Sequence, residues 1–177
     1  MEEQVILVDA DDNMIGTMDK LEAHQLGRLH RAFSVFIFDT KGRLLLQQRA
    51  MEKYHSGGKW TNTCCSHPRL NETNIDAANR RLMEEMGLTC ALTPAFNFLY
   101  RSDILPGLTE HEIDHVFFGV SDTEPKLNAD EVMHFKYIGM ADLAAELKAN
   151  PDTYSSWLNI CFDQLMIHYN QLFKNNE

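Results

Sequence analysis

Short runs of apolar residues, bounded by polar and turn residues, occur in the first part of the chain and are typical of β-strands. Residues 4–9 (QVILVD) and 31–39 (RAFSVFIFD) are rich in β-forming side chains and predict two strands. The turn sequence DTKG leads into GRLLLQQRA, so residues 31–49 are predicted to form a hairpin. A loop over YHSGGK precedes another predicted strand at 60–66.

The spacing of apolar residues changes to a helical period between residues 73 and 87. One face of this segment carries Ile75, Ala78, Leu82 and Met86. Thr73 can cap the start of the helix, with Asp76 three residues later, and Gly87 suits its C-terminal end. We therefore predict a helix over 73–87.

The remaining pattern predicts three more strands and two more helices. The strands cover 95–101, 112–120 and 132–138, and the helices cover 141–149 and roughly 154–173. An apolar stripe along the last helix would consist of Trp157, Ile160, Cys161, Leu165 and Tyr169. Because helices interrupt a larger number of strands, we predict an α/β (α+β) fold in which a mixed β-sheet is sandwiched between α-helices.

Length, composition and charge narrow the class of protein. A chain of 177 residues, 44% hydrophobic and 24% charged, is typical of one globular domain, here residues 1–177. The sequence MEEQVILVDADD lacks the features of a secretory signal, and no apolar run is long enough to span a membrane, so a cytoplasmic protein is expected. The net charge of −10 argues against nucleic acid as a main partner. The sequence leaves open whether the protein is a monomer or a homodimer.

The cysteines do not have the spacing of a structural zinc site. The chain has four, Cys64, Cys65, Cys90 and Cys161, which do not form a pair of closely spaced pairs. Neighbouring side chains of a strand point to opposite faces, so Cys64 and Cys65 are poorly placed for a disulfide. We expect free thiols, with one of the two adjacent cysteines in the core and the other on the opposite face.

Two carboxylates, Glu84 and Glu85, end the helix predicted at 73–87, where the helix dipole disfavours negative charge. One explanation is local ion pairing with Arg80 and Arg81, each four residues earlier. The other explanation is a divalent cation beside the end of the helix. The spacing alone does not decide between them.

The sequence EHEID places three carboxylates on one face of a predicted strand, namely Glu110, Glu112 and Asp114. Like charges repel unless water or a cation separates them, so this face is either a solvated strand end or part of a metal site. Further potential ligands are His24, His30 and His67. If the fold brings these histidines and carboxylates together, the set suits Mn²⁺, Zn²⁺ or Mg²⁺.

A longer motif resembles the Nudix box in register over the full length of the box. Its residues are Ser66, Glu72, Arg80, Arg81, Leu82, Glu84, Glu85, Gly87 and Leu88. The resemblance implies a Nudix-type mixed β-sheet between α-helices. The box normally begins with Gly, which Ser66 replaces here, and it has a Glu at the position of Arg81. The second change removes a carboxylate from the metal cluster on which Nudix hydrolases rely, and this argues against pyrophosphate hydrolysis.

Other motifs resemble one branch of that superfamily, the type 1 isopentenyl-diphosphate isomerases. TNTCCSHP and EHEID are specific to this resemblance, which extends from about residue 4 to Trp157. It implies the interconversion of isopentenyl and dimethylallyl diphosphate in isoprene biosynthesis. Because the alkene is unactivated, an acid must protonate it to a tertiary carbocation, and a base on the other side must remove a different proton in a pocket closed to water.

The resemblance also implies roles for individual residues. Cys65 would be the acid/base thiol, Glu112 the opposing carboxylate, and Tyr100 the group that assists proton delivery. One divalent metal (Mn²⁺, Zn²⁺ or Mg²⁺) would be held by His24, His30, His67, Glu110 and Glu112, and a Mg²⁺ ion bound with the diphosphate by Glu85. The phosphates would contact Lys20, Arg49, Lys53 and Arg81, and the ring of Trp157 would face the carbocation. No role is implied for His55, His111, His115, His134 or His168.

Two other functions remain compatible with a Nudix-type fold. A pyrophosphatase acting on a nucleotide or prenyl diphosphate would use the same Mg²⁺, but it needs the carboxylate that Arg81 replaces. A non-catalytic Nudix-like module would bind its ligand without turnover and would not depend on Cys65. Trp157 and Tyr100 are also compatible with purely structural positions.

Overall fold

The computed structural model describes residues 3–173, which form nine strands and four α-helices. The strands are β1 (Gln4–Val8), β2 (Met14–Asp19), β3 (His30–Phe38), β4 (Leu44–Arg49), β5 (Trp60–Thr61), β6 (Cys64–Ser66), β7 (Leu92–Leu105), β8 (Leu108–Val120) and β9 (Val132–Ile138). The helices are α1 (Lys20–Leu26), α2 (Asn74–Met86), α3 (Met140–Ala149) and α4 (Ser156–Phe173), with a 3₁₀ turn at Pro151–Thr153. Within this part of the chain, no helix combines the length and the apolar composition needed to cross a bilayer.

Strand β3 lies at the centre of the sheet. It pairs in parallel with β8, where His30 lies opposite Glu112, and antiparallel with the short strand β6, where Ser34 lies opposite Cys65. Strands β7 and β8 form a long antiparallel hairpin, and β4 pairs with β9 and β5. The sheet is therefore mixed, and β6 and β8 lie on opposite edges of β3.

Helices cover both faces of this sheet, because alternate residues of β3 point to opposite sides. Phe36 belongs to a hydrophobic cluster with residues of α3 and α4, such as Leu158. Phe33 belongs to a second cluster that includes Leu82 of α2. The prediction of a mixed β-sheet sandwiched between α-helices is confirmed.

Helix α2 begins and ends within one residue of the predicted bounds. The Thr73 hydroxyl accepts a hydrogen bond from the backbone N–H of Asp76 at 3.2 Å, as a helix N-cap does. Gly87 ends the helix with a φ of +62°, in the left-handed region that favours glycine. The signals that the sequence offered for the two ends of this helix are therefore both confirmed.

Two predicted strand arrangements are wrong. The hairpin predicted over 31–49 is only a turn, since β3 and β4 pair solely at Phe38 and Leu44 within the described chain and then diverge. The strand predicted at 60–66 is broken into β5 and β6 at Asn62 and Thr63.

Both differences have the same physical cause. Where β3 and β4 separate, Asn62 Nδ2 donates to the Val35 carbonyl at 3.1 Å. Thr63 Oγ1 accepts from the Ile37 N–H at 2.9 Å and donates to the Leu45 carbonyl at 2.6 Å. These side chains therefore replace the ladder hydrogen bonds that a continuous hairpin would make.

The sequence pattern missed β2 and α1 and the full length of the β7–β8 hairpin. No residue of β2 is buried, and α1 buries only Ala23 and His24, so neither has a clear apolar period. The hairpin extends past the predicted strands to a turn at Pro106 and Gly107. The sequence pattern missed this extension because many of the residues near the turn are polar. Ile160 is 50% exposed and does not belong to the buried stripe of α4.

Candidate active site

The acidic face of β8 is buried, so its interpretation as a solvated strand end is wrong. Glu110, Glu112 and Asp114 are each at most 5% exposed. Ser34 donates a hydrogen bond to Asp114 Oδ2 at 2.7 Å, whereas Glu110 and Glu112 lie among buried histidines. Burial of carboxylates requires compensating partners, and the histidines are the groups available here.

Three histidines from separate elements surround one oxygen of Glu112. The distance from Glu112 Oε1 to the ring Nε2 is 3.1 Å for His67, 3.2 Å for His30 and 3.8 Å for His24. His24 lies on α1, His30 begins β3, and His67 follows β6. The fold therefore brings together the three histidines that the sequence singled out.

The ring tautomers leave nitrogen lone pairs directed at this carboxylate. His24 Nδ1 lies 2.6 Å from the Lys20 carbonyl and His30 Nδ1 lies 2.8 Å from the Arg28 carbonyl, so each Nδ1–H donates to the main chain. Each Nε2 is then an acceptor, and among residues 3–173 the buried Nε2 of His24 has no hydrogen-bond partner. A divalent cation would supply the positive charge that this meeting of lone pairs requires. The donor set of imidazole and carboxylate fits Mn²⁺, Zn²⁺ or Mg²⁺.

Tyr100 connects the two glutamates. Its hydroxyl donates to Glu112 Oε2 at 2.7 Å and lies 3.3 Å from Glu110 Oε2. The ladder between β7 and β8 places Tyr100 directly opposite Glu112. Ser156, at the start of α4, donates to the same oxygen of Glu110 at 3.3 Å. The carboxylates are thus held from the sheet and from a helix.

The adjacent cysteines point to opposite faces of β6. Cys64 is fully buried in the hydrophobic cluster beneath α2, whereas Cys65 is only partly buried and lines the same cavity as Glu112. Arg49 Nη1 lies 3.9 Å from Cys65 Sγ. The four cysteines are free thiols. The predicted alternation of Cys64 and Cys65 is therefore confirmed, while the chemical role of Cys65 remains a prediction.

Local ion pairs exist at the end of α2, but they differ from the predicted pairs in one respect. Arg81 donates to Glu85 Oε1 at 2.6 Å and also to Glu84 at 2.7 Å. Arg80 makes its short contacts with Glu72, at 2.7 and 2.8 Å, and lies 3.4 Å from Glu84. Arg80 therefore ties α2 to the preceding loop, and Arg81 holds the carboxylate that faces the cavity.

Positive side chains collect at this end of the cavity. Arg81 lies 3.2 Å from Glu131 Oε2, and Lys53 pairs with the same carboxylate. Gln47 donates to Glu85 Oε2 at 2.8 Å, so both oxygens of Glu85 accept hydrogen bonds. These cations are paired with the carboxylates of Glu85 and Glu131 at the edge of the cavity.

Trp157 forms another wall and is 3% exposed. Its indole N–H donates to Asn62 Oδ1 at 2.9 Å, which fixes the ring in place. The guanidinium of Arg49 lies 5.5 Å from the ring centre, within the range of a cation–π interaction. The face of this ring is therefore already positioned to contact positive charge.

These groups surround one cavity. Most of the predicted site residues line it, namely Lys20, Arg49, Lys53, Cys65, His67, Arg81, Glu85, Tyr100, Glu110, Glu112 and Trp157. The remaining two, His24 and His30, reach the site through their contacts with Glu112. Lys20 pairs with Glu3 at 2.8 Å.

Burial and neighbouring charges shift the pKa of several of these groups. Burial raises the pKa of the Cys65 thiol against the opposing effect of Arg49, and burial together with the charge of Glu112 raises the pKa of Glu110 well above its usual range. Burial lowers the pKa of His67 to about 4. In Glu112 burial raises the pKa, but positive charge at the surrounding histidines, which a bound cation would supply with the tautomers described above, outweighs burial and holds the pKa well below its usual range. Opposed shifts within one cavity are typical of catalytic sites.

The sequence prediction assigns no site role to several polar residues that line the cavity, including Gln47, His55, Asp114 and Glu131. Asp114 shares the acidic face of β8, so the alternation in EHEID was a usable signal for it. His55 comes two residues after Lys53 in a glycine-containing loop, which was a weaker signal. Gln47 and Glu131 carry no local motif.

Comparison with known protein families and proteins identifies clear relatives. A model of the NUDIX domain matches residues 28–158. Isopentenyl-diphosphate Delta-isomerase 2 of Aromatoleum aromaticum is 55% identical over 166 residues, which are 94% of this chain and 88% of that protein. Isopentenyl-diphosphate Delta-isomerase of Pectobacterium atrosepticum is 48% identical over 174 residues, which are 98% of this chain and 97% of that protein. These matches confirm the resemblance that the motifs indicated.

Comparison with solved structures supports the fold. A protein of Deinococcus radiodurans has a TM-score of 0.77 at 18% identity, over 92% of this chain and 98% of that one. The MutT protein of Methanosarcina mazei has a TM-score of 0.65 at 18% identity, over 84% of this chain and 96% of that one. At this level of identity the likeness concerns the fold alone.

Proposed function

The chain belongs to the NUDIX family and within it to the isopentenyl-diphosphate Delta-isomerases, and we propose that it interconverts isopentenyl and dimethylallyl diphosphate in isoprene biosynthesis. One observation carries the chemistry of this proposal. A thiol, Cys65, and a carboxylate, Glu112, line one cavity whose other end is rich in cations. An isomerase needs the cations to hold the diphosphate of its substrate, and it needs the thiol and the carboxylate to move a proton.

The proposed reaction moves a double bond by adding one proton and removing another. Cys65 reaches the cavity from β6 and Glu112 from β8, and these strands lie on opposite edges of β3. A five-carbon chain between them would gain a proton at its terminal alkene carbon from one group. The resulting tertiary carbocation would lose a proton to the other group, from the carbon on its far side. One proton enters and one leaves, so no oxidant or reductant is required.

Two aromatic residues would support this proton transfer. The hydrogen bond from Tyr100 to Glu112 orients the carboxylate and offers a route for a proton. Trp157, fixed through Asn62, would face the carbocation, and a desolvated contact of this kind is worth about 2 kcal/mol. The buried side chains of Tyr100, Glu112 and Trp157 would limit the access of water, which would otherwise trap the cation.

Two metal positions belong to the proposal. One divalent ion, Mn²⁺, Zn²⁺ or Mg²⁺, would be held by His24, His30, His67, Glu110 and Glu112, and the unpartnered Nε2 of His24 supports this. When bound, such an ion supplies positive charge that fixes the ionisation and position of Glu112. Glu85 would hold the Mg²⁺ that arrives with the diphosphate.

The diphosphate would bind to Lys20, Arg49, Lys53 and Arg81, with bidentate contacts from the arginines. Lys53 and Arg81 pair with Glu131, and these contacts keep both cations beside the cavity until an anion replaces the carboxylate. Arg81 stands where the Nudix box has a glutamate. A cation at that position favours holding a diphosphate over hydrolysing it.

The proposal treats residues 1–177 as one domain, because the hydrophobic clusters on both faces share the strands of a single sheet. It assigns the protein to the cytoplasm, with a small prenyl diphosphate as its ligand and with neither nucleic acid nor membrane as a partner. A monomer and a homodimer are both compatible with it.

Phosphorus NMR tests the proposal directly. Purified protein is incubated with isopentenyl diphosphate and Mg²⁺ in heavy water, and the products are then analysed. We expect dimethylallyl diphosphate that contains deuterium, no free phosphate, and conversion at least about 100-fold slower with Cys65→Ala. Release of phosphate would instead favour a pyrophosphatase, and bound but unchanged ligand would favour a non-catalytic module.

A further inference from the structure

We propose that His55 is a further ligand of the divalent metal, so that four histidines rather than three surround the ion. The inference rests on the proposed function for the presence of that ion. It gives a catalytic-site role to a residue that neither the motifs nor the family resemblance single out.

His55 is buried at the edge of the histidine cluster. It is 7% exposed, and its Nδ1 lies 3.5 Å from Glu110 Oε1. Its ring centre is 5.7 Å from that of His24, within the range of 4.9 to 5.9 Å that separates His24 from the other two histidines of the site. The ligand atoms of His24, His55 and Glu110 all lie within 4.8 Å of one another. The same spacing holds within a second group, which consists of His24, His30, His67 and Glu112.

The two groups share His24, and this ring can serve only one ion. Its Nδ1–H donates to the Lys20 carbonyl at 2.6 Å, which leaves Nε2 as its available lone pair. One lone pair binds one metal ion at a time, so the two groups cannot hold separate ions through His24. We infer a single ion, with His55 and Glu110 on one side and the other group on the opposite side.

The spacings within each of the two groups are those of neighbouring ligands around one ion. Metal–ligand bonds of about 2.0–2.2 Å place neighbouring ligand atoms of an octahedron roughly 3 Å apart and opposite ones roughly 4.3 Å apart. The distances from Glu112 Oε1 to His67 and His30 are 3.1 and 3.2 Å, and the distance between Glu110 and His55 is 3.5 Å. A bound ion that draws the two groups together would have four imidazoles and two carboxylates as its six ligands.

The loop between β4 and β5 is shaped to hold His55 inside the protein. A Cβ atom on Gly57 would lie 2.5 Å from the Met51 carbonyl oxygen, so the loop can close in this way only with glycine there. Arg49 donates to the His55 carbonyl at 3.4 Å, and the Tyr54 ring packs edge-on against the imidazole with 4.5 Å between ring centres. The backbone and two neighbouring side chains therefore fix the position of the ring.

A hydrogen bond to Glu110 alone explains the position of His55 less well. An N–H···O bond normally spans about 2.7–3.2 Å, whereas His55 Nδ1 lies 3.5 Å both from Glu110 Oε1 and from the Ser56 hydroxyl. The hydroxyls of Tyr100 and Ser156 lie against Oε2 of Glu110, whereas His55 faces Oε1. If His55 Nδ1 and Glu110 Oε1 both face one ion, this accounts for the 3.5 Å between them and for the contact with Oε1 rather than Oε2.

The test counts the histidines on the ion. Protein loaded with Co²⁺ is studied by proton NMR, in which each bound imidazole gives a strongly shifted, exchangeable ring N–H signal. We expect four such signals in the wild type, three in His55→Ala and four in the control His134→Ala, which changes an exposed histidine of β9. Three signals in the wild type, or no binding of Co²⁺, would overturn the inference.

Metal affinity gives a second readout. A chelator competition with Mn²⁺ should show that His55→Ala weakens binding by at least about 10-fold, because removing a group that only orients a metal ligand already costs about 10–100-fold. His134→Ala should leave the affinity unchanged, and urea unfolding verifies that both variants are folded. An affinity of His55→Ala within twofold of the wild type would contradict a ligand role.

Turnover of isopentenyl diphosphate, measured on the same samples, separates this inference from the proposed function. If the wild type turns over substrate but shows three histidine signals, the isomerase proposal stands and the role of His55 fails. If four signals appear without turnover, the metal centre stands and the isomerase proposal fails.

Discussion

Replacing Cys64 and Cys65 separately should show that one of them contributes to stability and the other to activity. Cys64→Ala removes one sulfur atom from a site that is fully buried against α2. The loss of packing costs about 1 kcal/mol, which is small beside the ~5–15 kcal/mol by which domains are usually stable. The cavity face of β6 does not change, so turnover per folded molecule should stay within about twofold of the wild type. A twofold change corresponds to ~0.4 kcal/mol in the activation free energy.

Cys65→Ala should have the opposite effect. The thiol lines the cavity, so its removal leaves the core intact and changes the free energy of unfolding little. A positioned acid or base contributes about 10²–10⁴-fold to a rate, so turnover should fall by at least about 100-fold.

Both variants are assayed by conversion of isopentenyl diphosphate at saturating substrate and by urea unfolding. Cys65→Ser serves as a control for side-chain size, because it keeps the volume and loses the thiol. Equal losses of turnover in Cys64→Ala and Cys65→Ala would refute the argument from strand alternation. A strongly destabilised Cys65→Ala would show that its thiol is a packing residue.

Three further predictions concern the metal and the ends of α2. Removing divalent metal with a chelator should lower the melting temperature and adding Mn²⁺ should restore it, since a ligand at 100 times its Kd adds about 2.7 kcal/mol; an unchanged melting temperature would argue against a metal centre. Thr73→Ala should cost about 1 kcal/mol in urea unfolding, while Thr73→Ser retains the cap and its stability. The bidentate contact with Arg80 lowers the pKa of Glu72 from its ordinary 4.5, so the pair stabilises the fold above about pH 4.5 and this contribution is lost as the pH falls through the lowered pKa. The free energy of unfolding of Glu72→Gln should therefore be lower than that of the wild type at pH 7, and the two values should converge in acid. A difference in the free energy of unfolding that stays constant with pH would contradict the pairing.

Local signals in the sequence were sufficient for α2 and for the pleat of β8. The cap at Thr73, the apolar period and the left-handed Gly87 all act within one helix, so the prediction made from them does not depend on other parts of the chain. Alternation likewise placed Glu110 and Glu112 on one face without knowledge of the neighbouring strands. Whether that face was solvated or buried was not decidable locally, because its burial depends on the histidines and on the start of α4.

The errors occur where the partner of a segment lies far away in the sequence. β3 and β4 are adjacent in sequence and have the composition of a hairpin, yet β3 pairs instead with β6 and with β8. The side chains of Asn62 and Thr63 make this possible, and nothing in a single sequence distinguishes them from ordinary strand residues. His55 was missed for a similar reason, since its site role depends on Glu110, which lies 55 residues later in the chain.

On the proposed function, the fold separates the two tasks of the reaction between two elements. Helix α2 carries Arg81 and Glu85, so the segment that resembles the Nudix box would hold the diphosphate and its Mg²⁺. Strand β8 carries Glu110 and Glu112, which face the histidines, and Glu112 would move the proton. Hydrolysis would need the carboxylate cluster on the helix, and Arg81 replaces part of it with a cation that pairs with Glu85 at 2.6 Å. The same scaffold can therefore retain a phosphate site while its proton chemistry depends on β8 and on the thiol of Cys65.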